Sequence, residues 1–266
     1  MRINSAVKLA AVALGLTATI ASAGCATAQP APSATEPTIV LVHGAFAESS
    51  SWNGVIDKLT EQGLPTIAAG NPLRSVAGDA DSVRSVVASI DGPVVLVGHS
   101  YGGQVISQIQ DPKIKGLVYV AAFAPEEGET IGELSGKFPG STLGDTLDKV
   151  ALSDGSTDLY IQPAKFHQQF AADVPSTKAA VDAATQRPLN DRALNGKSGA
   201  PSWKTVSSWF VFPDADYNIP VAAHRFMAER AGARATVEIK GASHALTVSQ
   251  PGPVAKIIVE AATAVG

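Results

Sequence analysis

Ser100 stands in the run Gly98-His99-Ser100-Tyr101-Gly102, and its surroundings point to nucleophilic chemistry more than the five-residue match does. The stretch before it, Val94-Val95-Leu96-Val97, is short, apolar and β-branched, and the stretch Gln104–Gln110 after it has helical composition. A serine oxygen attacks a carbonyl when a neighbouring base takes its proton and the oxygen stands clear of the backbone. A sharp strand-to-helix turn gives that exposure. Gly98 and Gly102 remove side chains that would collide across such a turn, and the helix N-terminus beyond favours developing negative charge. Without the strand and the helix, Gly-His-Ser-Tyr-Gly would read as a glycine-rich turn.

Such a serine needs a base, and the base needs an acid to hold its tautomer. Gly241-Ala242-Ser243-His244-Ala245 follows the apolar stretch Thr236–Ile239 and precedes the terminal helical pattern, which makes His244 the histidine placed to serve as base. The acid belongs after the penultimate strand, where Ser208–Phe212 runs into Pro213-Asp214-Ala215-Asp216-Tyr217-Asn218-Ile219-Pro220. Asp216 is favoured because it occupies the turn directly before a helix starting at Pro220. Asp214, nearer the strand end, stays open as the alternative. His224 in a helix and His167 in the insertion described below read as surface or packing residues, and His99 as packing beneath the turn.

A second strand-to-loop passage, Ile39-Val40-Leu41-Val42-His43-Gly44-Ala45-Phe46, faces the same crevice. Acyl transfer needs backbone N–H groups aimed at the developing oxyanion, and the candidates are those of Tyr101 and Ala45, with Phe46 adjacent. His43, Phe46 and Tyr101 are expected to touch substrate, His43 chiefly by fixing the loop through hydrogen bonds. Ser49, Ser50 and Ser51 read as turn and cap residues. This chemistry requires no metal and no organic cofactor.

The elements that must position these residues alternate β and α. Strands are expected at Thr38–Val42, Thr66–Ala68, Val94–Val97, Leu117–Ala121, Ser208–Phe212 and Thr236–Ile239, as dense apolar runs suited to a parallel sheet buried on both faces. Ala80–Ile90 carries Val83, Val86, Val87 and Ile90 at helical steps, Val221–Ala231 has Pro before it and Gly after it, and the last helix covers about 254–262. Residues 125–205 are too long for a simple crossover. They form an insertion with helical patterns at Pro163–Ala171 and Ser176–Thr185, and an insertion at a strand's carboxyl end overhangs the ligand crevice of a doubly wound sheet. The expected fold is α/β, a mostly parallel doubly wound sheet under a helical cap. Leu159, Tyr160, Phe166 and Phe170 give the cap an apolar character, so a small, fairly apolar ester is expected, unless these aromatic side chains pack only on one another.

The chain has 266 residues, 45% of them hydrophobic, enough for one catalytic domain at 38–266. Residues 1–28 read as an export signal: Arg2 and Lys8 precede the apolar run Leu9–Ile20, and Ala21-Ser22-Ala23 and Ala26-Thr27-Ala28 both suit cleavage. Cleavage would release a periplasmic or secreted protein, whereas lipidation of Cys25 would leave a membrane-anchored one. Residues 29–37, rich in Pro, Ala and Ser, read as a linker. Cys25 is the single cysteine, so the domain has no internal disulfide. A net charge of −4 offers no basic stripe for nucleic acid.

Across about residues 38–264 the chain resembles the α/β-hydrolase superfamily, in the small bacterial esterase branch similar to the plant methylesterase and hydroxynitrile lyase group. The stretches that carry the likeness are LVHGAF, GPVVLVGHSYGG, LVYVAAFAPEEGE, IPVAAHRFMAERAGA and GASHALTVSQP. The resemblance implies an α/β-hydrolase fold, a serine carboxylesterase and an acid three residues before the Ile-Pro pair, which is Asp216. Lyases of that group use a lysine near the base, and Ala245-Leu246 stands there instead. Lyase or cofactor-free perhydrolase chemistry, and a ligand-binding protein derived from a hydrolase, are the alternatives.

Overall fold

The computed structural model describes residues 36–266. The expected export signal with Cys25, and all of the expected linker but its last residues, lie outside the described residues.

From Thr38 the chain alternates as expected: β1 (Thr38–Val42), α1 (Asn53–Glu61), β2 (Thr66–Ala69), α2 (Val76–Ala88), β3 (Val94–His99), α3 (Tyr101–Ser107) and β4 (Ile114–Val120). An insertion follows, with α4 (Ile131–Gly136), β5 (Leu147–Ala151), β6 (Thr157–Ile161), α5 (Pro163–Phe170), α6 (Ser176–Thr185), β7 (Leu189–Asn190) and α7 (Asp191–Leu194). The chain then returns through β8 (Ser208–Pro213), α8 (Val221–Arg230), β9 (Ala235–Ile239), α9 (Leu246–Ser249) and α10 (Pro251–Val265).

The central sheet has six strands in the order β2-β1-β3-β4-β8-β9, and every pairing in it is parallel. Its strands lack polar alternation because both faces are covered. Ile39, Leu41, Val95 and Val97 pack with Trp52, from the turn before α1, and with Leu59 and Ile258 of α1 and α10, while Val40, Val42, Val94 and Leu96 pack on the opposite side with Val83, Val105 and Met227 of α2, α3 and α8. The chain runs outward from β1 to β2 on one side and from β3 onward on the other, so the loops leaving β1 and β3 diverge and open a crevice at their carboxyl ends. Ser100 and Gly44 sit on those two loops.

The cap is not wholly helical. Besides its helices it carries a three-stranded antiparallel sheet, β5-β6-β7, which the sequence pattern did not reveal. Strand β5, Leu-Asp-Lys-Val-Ala, is largely exposed and shows no apolar face, and its partner β6 is recognisable only once the pairing across the Gly155 turn (φ 79°) is seen. Helix α2 begins four residues before the expected Ala80, because Ser75 caps it by accepting a hydrogen bond from the Gly78 N–H at 3.2 Å.

Candidate active site

Ser100 lies between β3 and α3 with φ 54° and ψ −123°, a conformation that L-residues rarely hold. The turn is over-determined. The Ser100 N–H donates to the Val120 carbonyl at 3.2 Å, and the Ser100 carbonyl accepts from Gly103 and Phe123 at 3.0 and 3.1 Å. A Cβ on Gly98 would lie 2.6 Å from the backbone of Gly102, and one on Gly102 would lie 2.4 Å from the Val42 carbonyl, so β3, α3 and β1 meet at a distance only glycine permits. The side chain of Ser100 is thereby held at the crevice.

His244 reaches it from the loop after β9, its Nε2 2.9 Å from Ser100 Oγ. The other ring nitrogen, Nδ1, is 2.7 Å from Asp216 Oδ2. A carboxylate only accepts, so Nδ1 carries the hydrogen and Nε2 is the free base facing the hydroxyl. Asp216 Oδ1 accepts from the backbone N–H groups of Asn218 and Ile219 at 2.7 and 2.9 Å. Burial pushes this carboxyl up, but the charge and hydrogen bonds of His244 and His224 outweigh it and hold it well below the usual carboxylate range. Asp214 is exposed and accepts from the Gly241 N–H at 2.6 Å, so it braces the turn before His244 and does not touch the ring.

His224 has more than the packing role its helical position suggested. It is fully buried, stacked on Phe212 with ring centroids 5.0 Å apart, and its Nε2 lies 3.2 Å from the same Asp216 Oδ2 that His244 uses. The signal was positional: α8 starts immediately after the turn that carries Asp216, so its first turn faces back onto the carboxylate. His99 packs beneath the elbow as expected, against Trp52 and Phe170, and its Nε2–H donates to the His244 carbonyl at 3.0 Å. His167 braces the cap through the Val174 carbonyl at 2.9 Å. Ser50 and Ser51 bond to Glu48 and lie with Ser49 in a short 3-10 turn, as their types suggested.

The cap grips the base loop directly. The Ala245 N–H donates to the Phe170 carbonyl at 2.9 Å, and the Ser243 hydroxyl donates to Asp173 at 2.5 Å. Phe170 leans edge-on to the His244 ring at 4.9 Å.

The loop after β1 corrects two expectations. His43 does not line the crevice: it is buried, its Nδ1–H donates to the Gly44 carbonyl at 2.9 Å and its Nε2 accepts from the Asn71 N–H at 3.1 Å. It fixes the loop and contacts no cavity beside Ser100. Phe46, at φ 59°, gives its N–H to the Arg187 carbonyl at 2.9 Å, so that group is not available to an oxyanion. The N–H groups of Ala45 and Tyr101 have no acceptor among the described residues, and both residues border the cavity at Ser100. Tyr101 is the first residue of α3, where N–H groups lack helical partners, and its hydroxyl is tied to Asp79 at 2.7 Å.

That cavity is small, about 50 Å3, and mostly apolar, bounded by Phe46, Phe123, Ile131, Leu143, Leu189 and Leu194, with Ser135 and Asn218 as its polar members besides Ser100 and His244. Phe166 and Phe170 stack on each other at 5.0 Å and border a separate recess of about 20 Å3 on the far side of Phe46. Leu159 and Tyr160, in β6, belong to neither, while Phe170 also packs edge-on against Phe46, His99 and His244, so the cap's phenylalanines pack on the base and its loop as well as on each other.

Two of the buried histidines make the fold acid-sensitive. Burial holds the His43 imidazole down at about 4 and the His99 imidazole at about 3. The unfolded chain binds these protons near pH 6.5, so stability is complete above that pH and is lost as the pH falls from it toward the folded values. Each should cost roughly 2 kcal/mol between pH 7 and pH 5, about 4 kcal/mol together. Urea unfolding at the two pH values checks this, and equal free energies would rule out neutral, buried imidazoles at both positions.

Residues 39–257 match the family model described as the alpha/beta hydrolase family. Among curated proteins, the carbendazim hydrolyzing esterase of Nocardioides sp. (strain SG-4G) is 33% identical over 134 residues, 41% of this chain and 55% of that protein, so the chain spans about half the length of that relative. Polyneuridine aldehyde esterase of Rauvolfia serpentina is 25% identical over 83% of this chain and 94% of its own. The pyrethroid hydrolase of Sphingobium wenxiniae (strain DSM 21828 / CGMCC 1.7748 / JZ-1) is 24% identical over 85% and 88%. A crystal structure of polyneuridine aldehyde esterase superposes with a TM-score of 0.73 at 20% identity, covering 85% of this chain and 99% of that one, and so shares the fold.

Proposed function

Because this chain belongs to the α/β-hydrolase family, we propose that it is a serine carboxylesterase that cleaves small, fairly apolar esters through an acyl-enzyme. The observation that carries the reading is the continuous line from Asp216 Oδ2 through the His244 ring to Ser100 Oγ, at 2.7 and 2.9 Å, ending at a cavity bordered by the unpaired N–H groups of Ala45 and Tyr101. Relatives named as esterases and hydrolases support the same class of reaction.

The chemistry proceeds in two halves. His244 Nε2 accepts the Ser100 proton while Oγ bonds to the ester carbonyl carbon, and the resulting oxyanion takes hydrogen bonds from the Ala45 and Tyr101 N–H groups. The imidazolium, steadied by Asp216, then protonates the departing alcohol as the carbon–oxygen bond breaks, leaving an acyl group on Ser100. In the second half a water gives its proton to Nε2, adds to the acyl carbon and releases the acid with Ser100 restored. The apolar cavity favours an uncharged substrate, since exclusion of water strengthens the oxyanion contacts.

A fluorophosphonate probe tests the nucleophile. One adduct per chain is expected, on the peptide containing Ser100, together with turnover of short-chain aryl esters that slows as labelling proceeds. Full labelling elsewhere, or turnover that survives complete modification of Ser100, would remove the mechanism. Stoichiometric labelling without ester turnover would instead favour a ligand-binding role.

A further inference from the structure

Besides the backbone N–H groups of Ala45 and Tyr101, the wall of the Ser100 cavity carries one residue with an unpaired buried side-chain donor. Asn218 is 3% exposed and borders the cavity. Its other polar atoms are all engaged: its backbone N–H donates to Asp216 Oδ1 at 2.7 Å, its carbonyl accepts from the Ser135 and Ser141 hydroxyls at 3.2 and 2.9 Å, and its Oδ1 accepts from Gln169 Nε2 at 2.8 Å. The side-chain amide nitrogen, Nδ2, is buried and has no acceptor among the described residues. It is the single such atom on a residue of this cavity.

The orientation of that amide is fixed by its neighbours. Gln169 must turn its nitrogen toward the Tyr217 carbonyl, 2.9 Å away, and its oxygen then accepts from the Thr142 hydroxyl at 2.9 Å. The same nitrogen meets Asn218, so Asn218 must present oxygen to Gln169 and keep its own NH2 for the remaining direction. Reversing either amide would set two carbonyl oxygens, or two NH2 groups, against each other. A buried donor left without an acceptor costs about 1 to 3 kcal/mol, and native structures leave few of them unexplained.

We infer that Asn218 Nδ2 is a specificity determinant, donating a hydrogen bond to a second oxygen of the ester substrate, separate from the carbonyl that is attacked. The inference rests on the serine-esterase reading and adds the class of substrate. The remaining wall, Phe123, Ile131, Leu143, Leu189 and Leu194, accepts an alkyl body, and no cationic side chain borders the cavity to neutralise a carboxylate. The acceptor is therefore a neutral keto or ether oxygen, and the substrates are short oxo- or alkoxy-esters. A site with a fixed donor discriminates against analogues that leave the donor unpaired, here by roughly ten- to hundredfold.

The test compares kcat/KM for shape-matched pairs at pH 8: methyl 3-oxobutanoate against methyl 3-methylbutanoate, methyl 4-oxopentanoate against methyl 4-methylpentanoate, and 2-methoxyethyl acetate against butyl acetate. Intrinsic reactivity differs within a pair, so the reading is how the ratio changes between the wild type and two variants. Asn218→Asp keeps the oxygen that Gln169 needs and replaces the donor by an acceptor, while Asn218→Leu removes both. At least one pair should lose its preference by tenfold or more in both variants, read as the ratio within the pair and not as the absolute rate of either ester. Unchanged ratios in every pair overturn the donor assignment and leave the esterase reading standing. Hydrolysis of no ester by the wild type overturns both.

Discussion

Replacing Ser100 by alanine is expected to lower kcat on esters by about 10^4 to 10^6, leaving only what the oxyanion donors and the cavity supply. The variant should fold. Alanine has the same Cβ as serine, so the φ of 54° is no more strained with one than with the other. The lost oxygen makes one side-chain hydrogen bond, to His244 at 2.9 Å, and the turn is held by backbone bonds and by Gly98 and Gly102, which the substitution does not touch. Steady-state kinetics beside a thermal melt separate loss of the nucleophile from loss of structure. A variant that melts like the wild type and keeps more than a tenth of its rate would show that Ser100 does not attack the ester.

What could be read from the sequence follows what is local. The central strands were legible because burial on both faces turns them into unbroken apolar runs such as Val94–Val97, and the elbow because strand, glycines and helix are contiguous. Ser100, His244 and Asp216 are brought together by the fold, while Asp214, the alternative that spacing left open, is turned out to brace Gly241. The misses are contacts between distant segments. No pattern around Phe46 announces that its N–H belongs to the Arg187 carbonyl, and none around His43 that Asn71 closes off its second nitrogen. Strand β5 owes its existence to pairing with β6, since its own side chains bury little. His224 looked like one more helical side chain because helical periodicity tells which residues turn inward but not that a carboxylate waits there.

That second histidine sharpens what should happen when Asp216 becomes asparagine. In the native site one carboxylate oxygen accepts from the backbone N–H groups of Asn218 and Ile219, and the other accepts from His244 Nδ1 and His224 Nε2. Every partner is a donor, so an amide cannot satisfy the site in either orientation. With its NH2 toward the backbone, two N–H groups lose their acceptor and face another donor. With its NH2 toward the rings, His244 can keep a hydrogen bond only by shifting its hydrogen from Nδ1 to Nε2, and an Nε2–H cannot take the Ser100 proton. A backbone N–H cannot exchange tautomers as an imidazole can, and breaking both backbone bonds leaves buried donors unpaired, so the second orientation is favoured. His224 opposes it less strongly at 3.2 Å and has an unpartnered Nδ1 among the described residues, so it can exchange tautomers as well. Asp216→Asn should therefore lower kcat by about 10^4 while KM changes little, because the ester's binding surface is intact and the base is in the wrong tautomer. Loss of the imidazolium's counter-charge adds to the same deficit. Kinetics on one aryl ester and NMR of the imidazole protons check the two halves of the claim. A fall of less than tenfold in kcat, with His244 still carrying its hydrogen on Nδ1, would mean that the carboxylate neither sets the tautomer nor stabilises the cation.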